Sequence, residues 1–227
     1  MKRVLLFSGV HGDASRLHRI LREAEERKAE SLLFAGGILD SKLAPEERAS
    51  FLVSFFEALG KTSRFSAVIP GPGDGPLREF LRAGLNAENT FAHVFLAHAS
   101  AIPHGDTVVG GLGGELSESE DRDSDPIRHS RVTSQYFLRG LLYADKPIKV
   151  LMLSDPPPGP LADGAGSPLA EELVHTLHPE LCVVAGTRSH RGTQVVGDTL
   201  VVNPGKLCEG SAAWLERVPG EVEWIDL

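Results

Sequence analysis

Three short segments combine glycine with groups that can hold a proton, an anion or a cation: Ser8-Gly9-Val10-His11-Gly12, Gly36-Gly37-Ile38-Leu39-Asp40 and Gly71-Pro72-Gly73-Asp74. An imidazole can move protons or ligate a metal near neutral pH, and a carboxylate can ligate a hard cation or act as a base. Glycine lets backbone pass close to backbone or to a ligand. Two later segments carry more such groups, Ser154-Asp155-Pro156-Pro157-Pro158 and Gly186-Thr187-Arg188-Ser189-His190. The second includes a guanidinium, whose planar fork suits phosphate or carboxylate. The groups in these five segments that could do such chemistry include His11, Asp40, Asp74, Asp155, Arg188 and His190.

The elements that must position them follow from hydrophobic period. Residues 3–7 form an apolar run, and after Asp13 the residues Leu17, Ile20, Leu21 and Ala24 recur at helical spacing. The pattern returns at 31–35 before a helix opened by Pro45, and at 66–69 before a helix over 76–83. Alternating strand and helix predicts a mostly parallel sheet, and ligands of such sheets sit where loops leave the carboxyl ends of the strands. The glycine-bearing loops at 8–13, 36–40 and 71–75 are thus expected to meet.

Further strands are expected at 94–97, 107–111, 149–153 and 181–185, with helices over 132–143 and 169–177. Gly197-Asp198 predicts a hairpin between 194–196 and 200–203, and Pro219-Gly220 one between 212–216 and 222–225. The sum is a β-sandwich with helices outside it and antiparallel strands toward the C-terminus. Residues 115–125 are acidic without apolar period and read as a solvated loop.

Composition bounds the rest. The 227 residues are 41% hydrophobic and 24% charged, which suits one soluble domain spanning 1–227. With 23 Lys and Arg against 31 Asp and Glu, the net charge of −8 argues against coating nucleic acid. Cys182 and Cys208 are not closely spaced and fit buried thiols in a reducing compartment, so the cytoplasm is the expected location. The apolar start is shorter than a signal-peptide core, and no uncharged stretch approaches bilayer length, so no membrane association is expected.

Taken in order, the five segments, closed by Gly197-Asp198-Thr199-Leu200-Val201-Val202-Asn203-Pro204-Gly205, resemble the calcineurin-like metallophosphoesterase family over nearly the whole chain. The resemblance implies an α/β fold, a four-layer α/β/β/α sandwich with mixed sheets. It also implies a hydrolase in which two divalent ions clamp a phosphate and generate hydroxide. The residues depart from that pattern. Gly9 stands at the first Asp ligand, Gly37 at the bridging Asp, Pro72 at the Asn ligand and Gly73 at the catalytic His. Asp155 stands at the lone-His position, and Thr187 and Ser189 at the last two His positions, leaving His11 among the expected ligands. Asp40 and Asp74 match as supporting residues.

Several readings stay open at this level. His11 is either a working imidazole or a loop histidine bonded to a neighbour, and His190 either turns inward as a ligand or faces solvent. Asp74 reads best as the cap of the helix after Pro76. Arg188 either pairs with Asp155 or Asp40, or joins Lys206, His11 and loop N–H groups in a metal-free anion site. The leading expectation for function is a family member without its two-ion site, needing no cofactor, that binds a phosphate-bearing small molecule or a protein partner. The alternative is an active phosphoesterase of a small phosphomonoester or phosphodiester, with manganese or magnesium on a rebuilt set of His11, Asp40, Asp155 and His190. A homo-oligomer using the C-terminal strand edge is a third option.

Overall fold

A computed structural model describes residues 1–117, 127–164, 166–185 and 190–227. In chain order its first half holds β1 (Lys2–Phe7), α1 (Ala14–Glu26), β2 (Ser31–Phe34), α2 (Pro45–Gly60), β3 (Phe65–Val68), α3 (Leu77–Thr90) and β4 (Val94–Leu96). The second half adds β5 (Ala101–His104), β6 (Thr107–Leu112), β7 (Glu115–Leu116), β8 (Arg128–His129), α4 (Arg131–Leu142), β9 (Ile148–Leu153) and α5 (Pro168–Leu177). It ends with β10 (Leu181–Val184), β11 (Gly192–Val196), β12 (Thr199–Asn203), β13 (Ser211–Arg217) and β14 (Val222–Asp226).

Two six-stranded mixed sheets result, ordered β14-β13-β1-β2-β3-β4 and β11-β12-β10-β9-β6-β5. The period-two rule is visible in β1. Val4 and Leu6 point into the layer between the sheets with Leu33, Val109, Val150 and Val183, whereas Leu5 and Phe7 face the helices. On that outer side Leu17, Ile20 and Ala24 of α1 join Leu52, Phe55, Phe56 and Phe80 of α2 and α3. The rings of Phe7, Phe34, Phe55, Phe56 and Phe80 form a continuous chain, and each fully buried aromatic contributes roughly 1.5–3 kcal/mol. The second sheet is covered by α4 and α5 through Leu138, Leu141, Leu173 and Leu177. The layers are thus helix, sheet, sheet, helix, the expected sandwich.

Local chemistry explains the helix ends. Asp13 caps α1 by accepting the Arg16 N–H at 2.9 Å, Ser130 and Ser167 cap α4 and α5, and Pro45 opens α2. The C-terminal hairpins form as expected, β11 with β12 and β13 with β14. However, β12 also runs parallel to β10, so that sheet stays mixed. Strand β5 escapes the sequence pattern because Pro103 argues against a strand. As an edge strand paired only with β6, it tolerates a residue that cannot donate. The acidic stretch is not wholly loop, since Glu115 and Leu116 pair with Arg128 and His129 in β7 and β8. Its remaining positions from 118 lie outside the described residues. Among the described residues no helix is long and apolar enough to cross a membrane.

Candidate functional site

Because β1, β2 and β3 are adjacent and parallel, their carboxyl-end loops leave side by side. The first two are stitched by backbone: Gly9, His11 and Gly12 N–H donate to the Gly36, Gly37 and Ile38 carbonyls at 2.8–2.9 Å. The second and third are stitched by one side chain. Asp74 is fully buried and accepts N–H bonds from Gly71 at 2.6 Å, Leu39 at 2.8 Å, Gly37 at 2.9 Å and Ile38 at 3.0 Å. Burial pushes this carboxyl above its ordinary range, and the four donors pull against that shift. Asp74 is therefore not the cap of α3, whose first turn has no side-chain cap. The short turn at Pro72–Asp74 folds the carboxylate back onto the preceding loops, out of reach of the helix.

A fourth loop joins them. After β12, Asn203 Oδ1 accepts the Gly205 N–H at 2.9 Å and Ser8 Oγ donates to the Gly205 carbonyl at 2.7 Å. The N–H groups of Leu207 and Cys208 then donate to the Ser8 and Gly9 carbonyls at 2.7 and 2.9 Å. This brings Lys206 against Gly9. A Cβ built on Gly9 would lie 3.0 Å from Lys206 Cβ and 3.1 Å from its Cγ. At Gly37, φ is +81° and a Cβ would stand 3.0 Å from Gly9 Cα and 3.2 Å from His11 Cε1. Both positions are closed to a side chain by backbone conformation and by space.

The four loops, together with Ser154 after β9 and Ala185 after β10, line a cavity of about 370 Å³ that includes His11, Asp40, Gly73, Lys206, Cys208 and Glu209 in its wall. His11 has φ +45°, and its Nδ1 lies 3.3 Å from the Leu39 carbonyl. Lys206 Nζ donates to Glu209 at 3.0 Å, and Asp40 accepts the Lys42 N–H at 2.9 Å. Of the residues expected here, His11 and Asp40 line the cavity with side chains not fully spent, and Asp74 forms its wall with both oxygens occupied.

Asp155 is turned away and accepts the Leu116 N–H at 2.8 Å. Burial raises its pKa to about 6, opposed by that N–H and aided by the nearby Glu115. His190 is exposed and donates its backbone N–H to the Leu161 carbonyl. Neither residue lines the cavity. Arg188, with Thr187 and Ser189, lies outside the described residues.

Among the described residues no three of His, Cys, Asp or Glu come together around one ion position. The expected supply of loop N–H donors is also smaller than the glycine content suggests, because Gly9, His11, Gly12 and Gly37 spend theirs on loop-to-loop bonds and Gly71 spends its own on Asp74 within the third loop. Cys208 and Glu209 were not legible as cavity residues from the chain. The signal was the turn Asn203-Pro204-Gly205 after a strand, the same strand-then-glycine grammar as the other loops. Cys182 is buried as expected, whereas Cys208 is half-exposed on the cavity wall. Among the other histidines, His98 and His129 are buried with rings 5.3 Å apart.

Comparison with known proteins gives a family and a fold. Residues 44–226 match the family described as metallophosphoesterase, calcineurin superfamily. The chain is similar in structure to TT1561 of Thermus thermophilus, with 24% identity and a TM-score of 0.89, over 99% of this chain and 98% of that one. A dimetal phosphatase from Danio rerio superposes over 99% of this chain and 98% of its own, with 11% identity and a TM-score of 0.69. A novel archaeal phosphodiesterase does so over 99% of both chains, with 10% identity and a TM-score of 0.59. At these identities the likeness concerns the fold. No curated protein matches the sequence.

Proposed function

The chain belongs to the metallophosphoesterases of the calcineurin superfamily, and from that premise we propose that it keeps the phosphate cleft of this fold without the ion pair and binds a phosphate-bearing small molecule there. Lys206 carries the reading. Its stem covers the side of Gly9 that a ligating side chain would occupy, and the residue lines the same cavity as His11. An ammonium held there offers an oxyanion part of the positive charge that an ion would supply.

The side chains do not fit a two-ion centre. Two cations within about 4 Å of each other need a bridging carboxylate and several further anionic or imidazole ligands. Gly9, Gly37, Pro72 and Gly73 offer no side-chain donor, and the Asp74 oxygens are held by four N–H groups. Of the set His11, Asp40, Asp155 and His190, only His11 and Asp40 reach the cavity. Among the described residues no group set for a hydrolytic step lines the cavity. Binding does follow from the groups present: Lys206 supplies charge and N–H donors. A proton on His11 Nδ1 is directed at the Leu39 carbonyl, which leaves Nε2 for the ligand.

The experiment is titration calorimetry of inorganic phosphate and phenyl phosphate with the whole protein in chelator, beside elemental analysis of protein purified without chelator. The expected result is chelator-insensitive binding that weakens about tenfold in Lys206→Gln, the loss of one charge-assisted bond. Stoichiometric divalent metal, together with phosphodiester turnover abolished by chelation, overturns the proposal.

A further inference from the structure

Across Lys206 from the cleft lies a second cavity of about 250 Å³, walled by Ser8, Arg191, Asn203, Lys206 and Ser211, with the carboxylates of Glu209 and Asp226 also at its boundary. Asn203 is 1% exposed. Its Oδ1 accepts the Gly205 N–H, which identifies the other end of the amide as nitrogen. That nitrogen, Nδ2, is buried and has no hydrogen-bond partner among the described residues. A buried NH2 group without an acceptor is destabilising, and folded proteins place an acceptor at such a position.

The neighbouring groups say what kind of acceptor fits. Arg191 Nη1 donates to Ser211 Oγ at 3.1 Å and to Asp226, and the guanidinium sits 5.2 Å from the centre of the Trp224 ring. Lys206 Nζ donates to Glu209 at 3.0 Å. The Asp226 and Glu209 side chains are 76% and 65% exposed, so both pairs are solvated at the rim, and an entering anion shares the two cations with these carboxylates. The hydroxyls of Ser8 and Ser211 donate to the Gly205 and Pro204 carbonyls and have no proton to spare. The unspent capacity away from the solvated rim is therefore donor capacity: both protons of Asn203 Nδ2, two on Lys206 and the rest of the Arg191 fork.

We infer that this cavity is an oxyanion subsite, holding a phosphate or carboxylate group through Asn203, Arg191 and Lys206. Lys206 lines both cavities, so it stands between two anion positions. The ligand class that fits is a small organic molecule with two oxyanion groups, one in the cleft and one at Asn203. That a single molecule fills both positions rests on the cleft reading given above, whereas the Asn203 subsite does not.

The test is a ¹H–¹⁵N spectrum of the whole protein titrated with inorganic phosphate at constant ionic strength. The Asn203 side-chain NH2 pair is assigned by its disappearance in Asn203→Asp, which keeps the side-chain shape and the acceptor for Gly205. The Gly73 backbone signal reports the cleft. In the native protein the Asn203 pair shifts saturably. In Arg191→Gln its affinity falls about tenfold while the Gly73 response is retained. An Asn203 pair that stays still up to roughly 50 mM phosphate, or an Arg191→Gln response equal to the native one, overturns the subsite. Movement at Asn203 with Gly73 still would sink the cleft reading and leave the subsite standing, and the reverse pattern would do the opposite.

Discussion

Replacing Asp74 separates two accounts of the loop architecture. If the carboxylate staples the second and third loops, Asp74→Ala strands four backbone N–H groups that now lie 2.6–3.0 Å from it. Each orphaned buried donor costs about 1–3 kcal/mol, and with water recovering part, a loss of roughly 4 kcal/mol or more is expected. A helix cap at this residue would lose about 1 kcal/mol. Asp74→Asn sharpens the contrast. Asparagine is among the best caps, so a capping role predicts no loss. In the staple, Oδ2 takes the bonds from Gly37, Ile38 and Gly71, and Oδ1 takes the one from Leu39. An amide placing its oxygen on the three donors turns its NH2 against the Leu39 N–H, donor against donor, at a cost of roughly 2 kcal/mol. Urea unfolding at neutral pH, followed by circular dichroism and by the fluorescence of Trp214 and Trp224, measures both variants. Asp74→Asn within about 0.5 kcal/mol of the native protein would refute the staple.

Asp155 gives a pH prediction. Its folded pKa of about 6 exceeds the ordinary 3.8, so the folded state binds this proton more tightly, and the associated stability is present below 3.8 and lost as pH rises through 6. The stability of the native protein relative to Asp155→Asn should fall by about 2–3 kcal/mol between pH 4 and 7, and parallel curves for the two proteins would contradict the assignment. At the glycines, Gly37→Ala must place a Cβ at φ +81° and 3.0 Å from Gly9 Cα, and should cost about 2 kcal/mol. Gly73→Ala meets nothing within 4 Å and should change stability by less than about 0.5 kcal/mol, both read from thermal unfolding.

The fold was largely legible in the chain because its signals are local. Leu17, Ile20 and Ala24 line one face of α1 at a spacing that only a helix satisfies, and Asp13 stands where a cap must. Gly197-Asp198 turns between β11 and β12 for reasons contained in two residues. Strand β5 was hidden because Pro103 reads against a strand until the edge position is known. The site was legible in outline: the loops at 8–13, 36–40 and 71–75 converge because three adjacent strands are parallel. The use each side chain makes of its atoms was not.

Asp74 matched its motif, yet a carboxylate next to a helix start looks the same in sequence whether it caps that helix or reaches back to the preceding loops. Asp155 follows a strand as the lone-His position does, but its oxygen is taken by Leu116 and does not reach the cavity. The order of the helices and of the strands other than β5, β7 and β8, the convergence of glycine loops and the missing side chains at Gly9, Gly37, Pro72 and Gly73 were all readable in the chain, because period, turn chemistry and residue type are properties of neighbours. Contacts between distant segments put the Lys206 stem over Gly9, join Ser8 to Gly205 across 197 positions, and leave Asn203 in the wall of a second cavity with an Nδ2 that has no partner among the described residues. Those contacts depend on rotamers and on packing between distant segments, which no local pattern specifies.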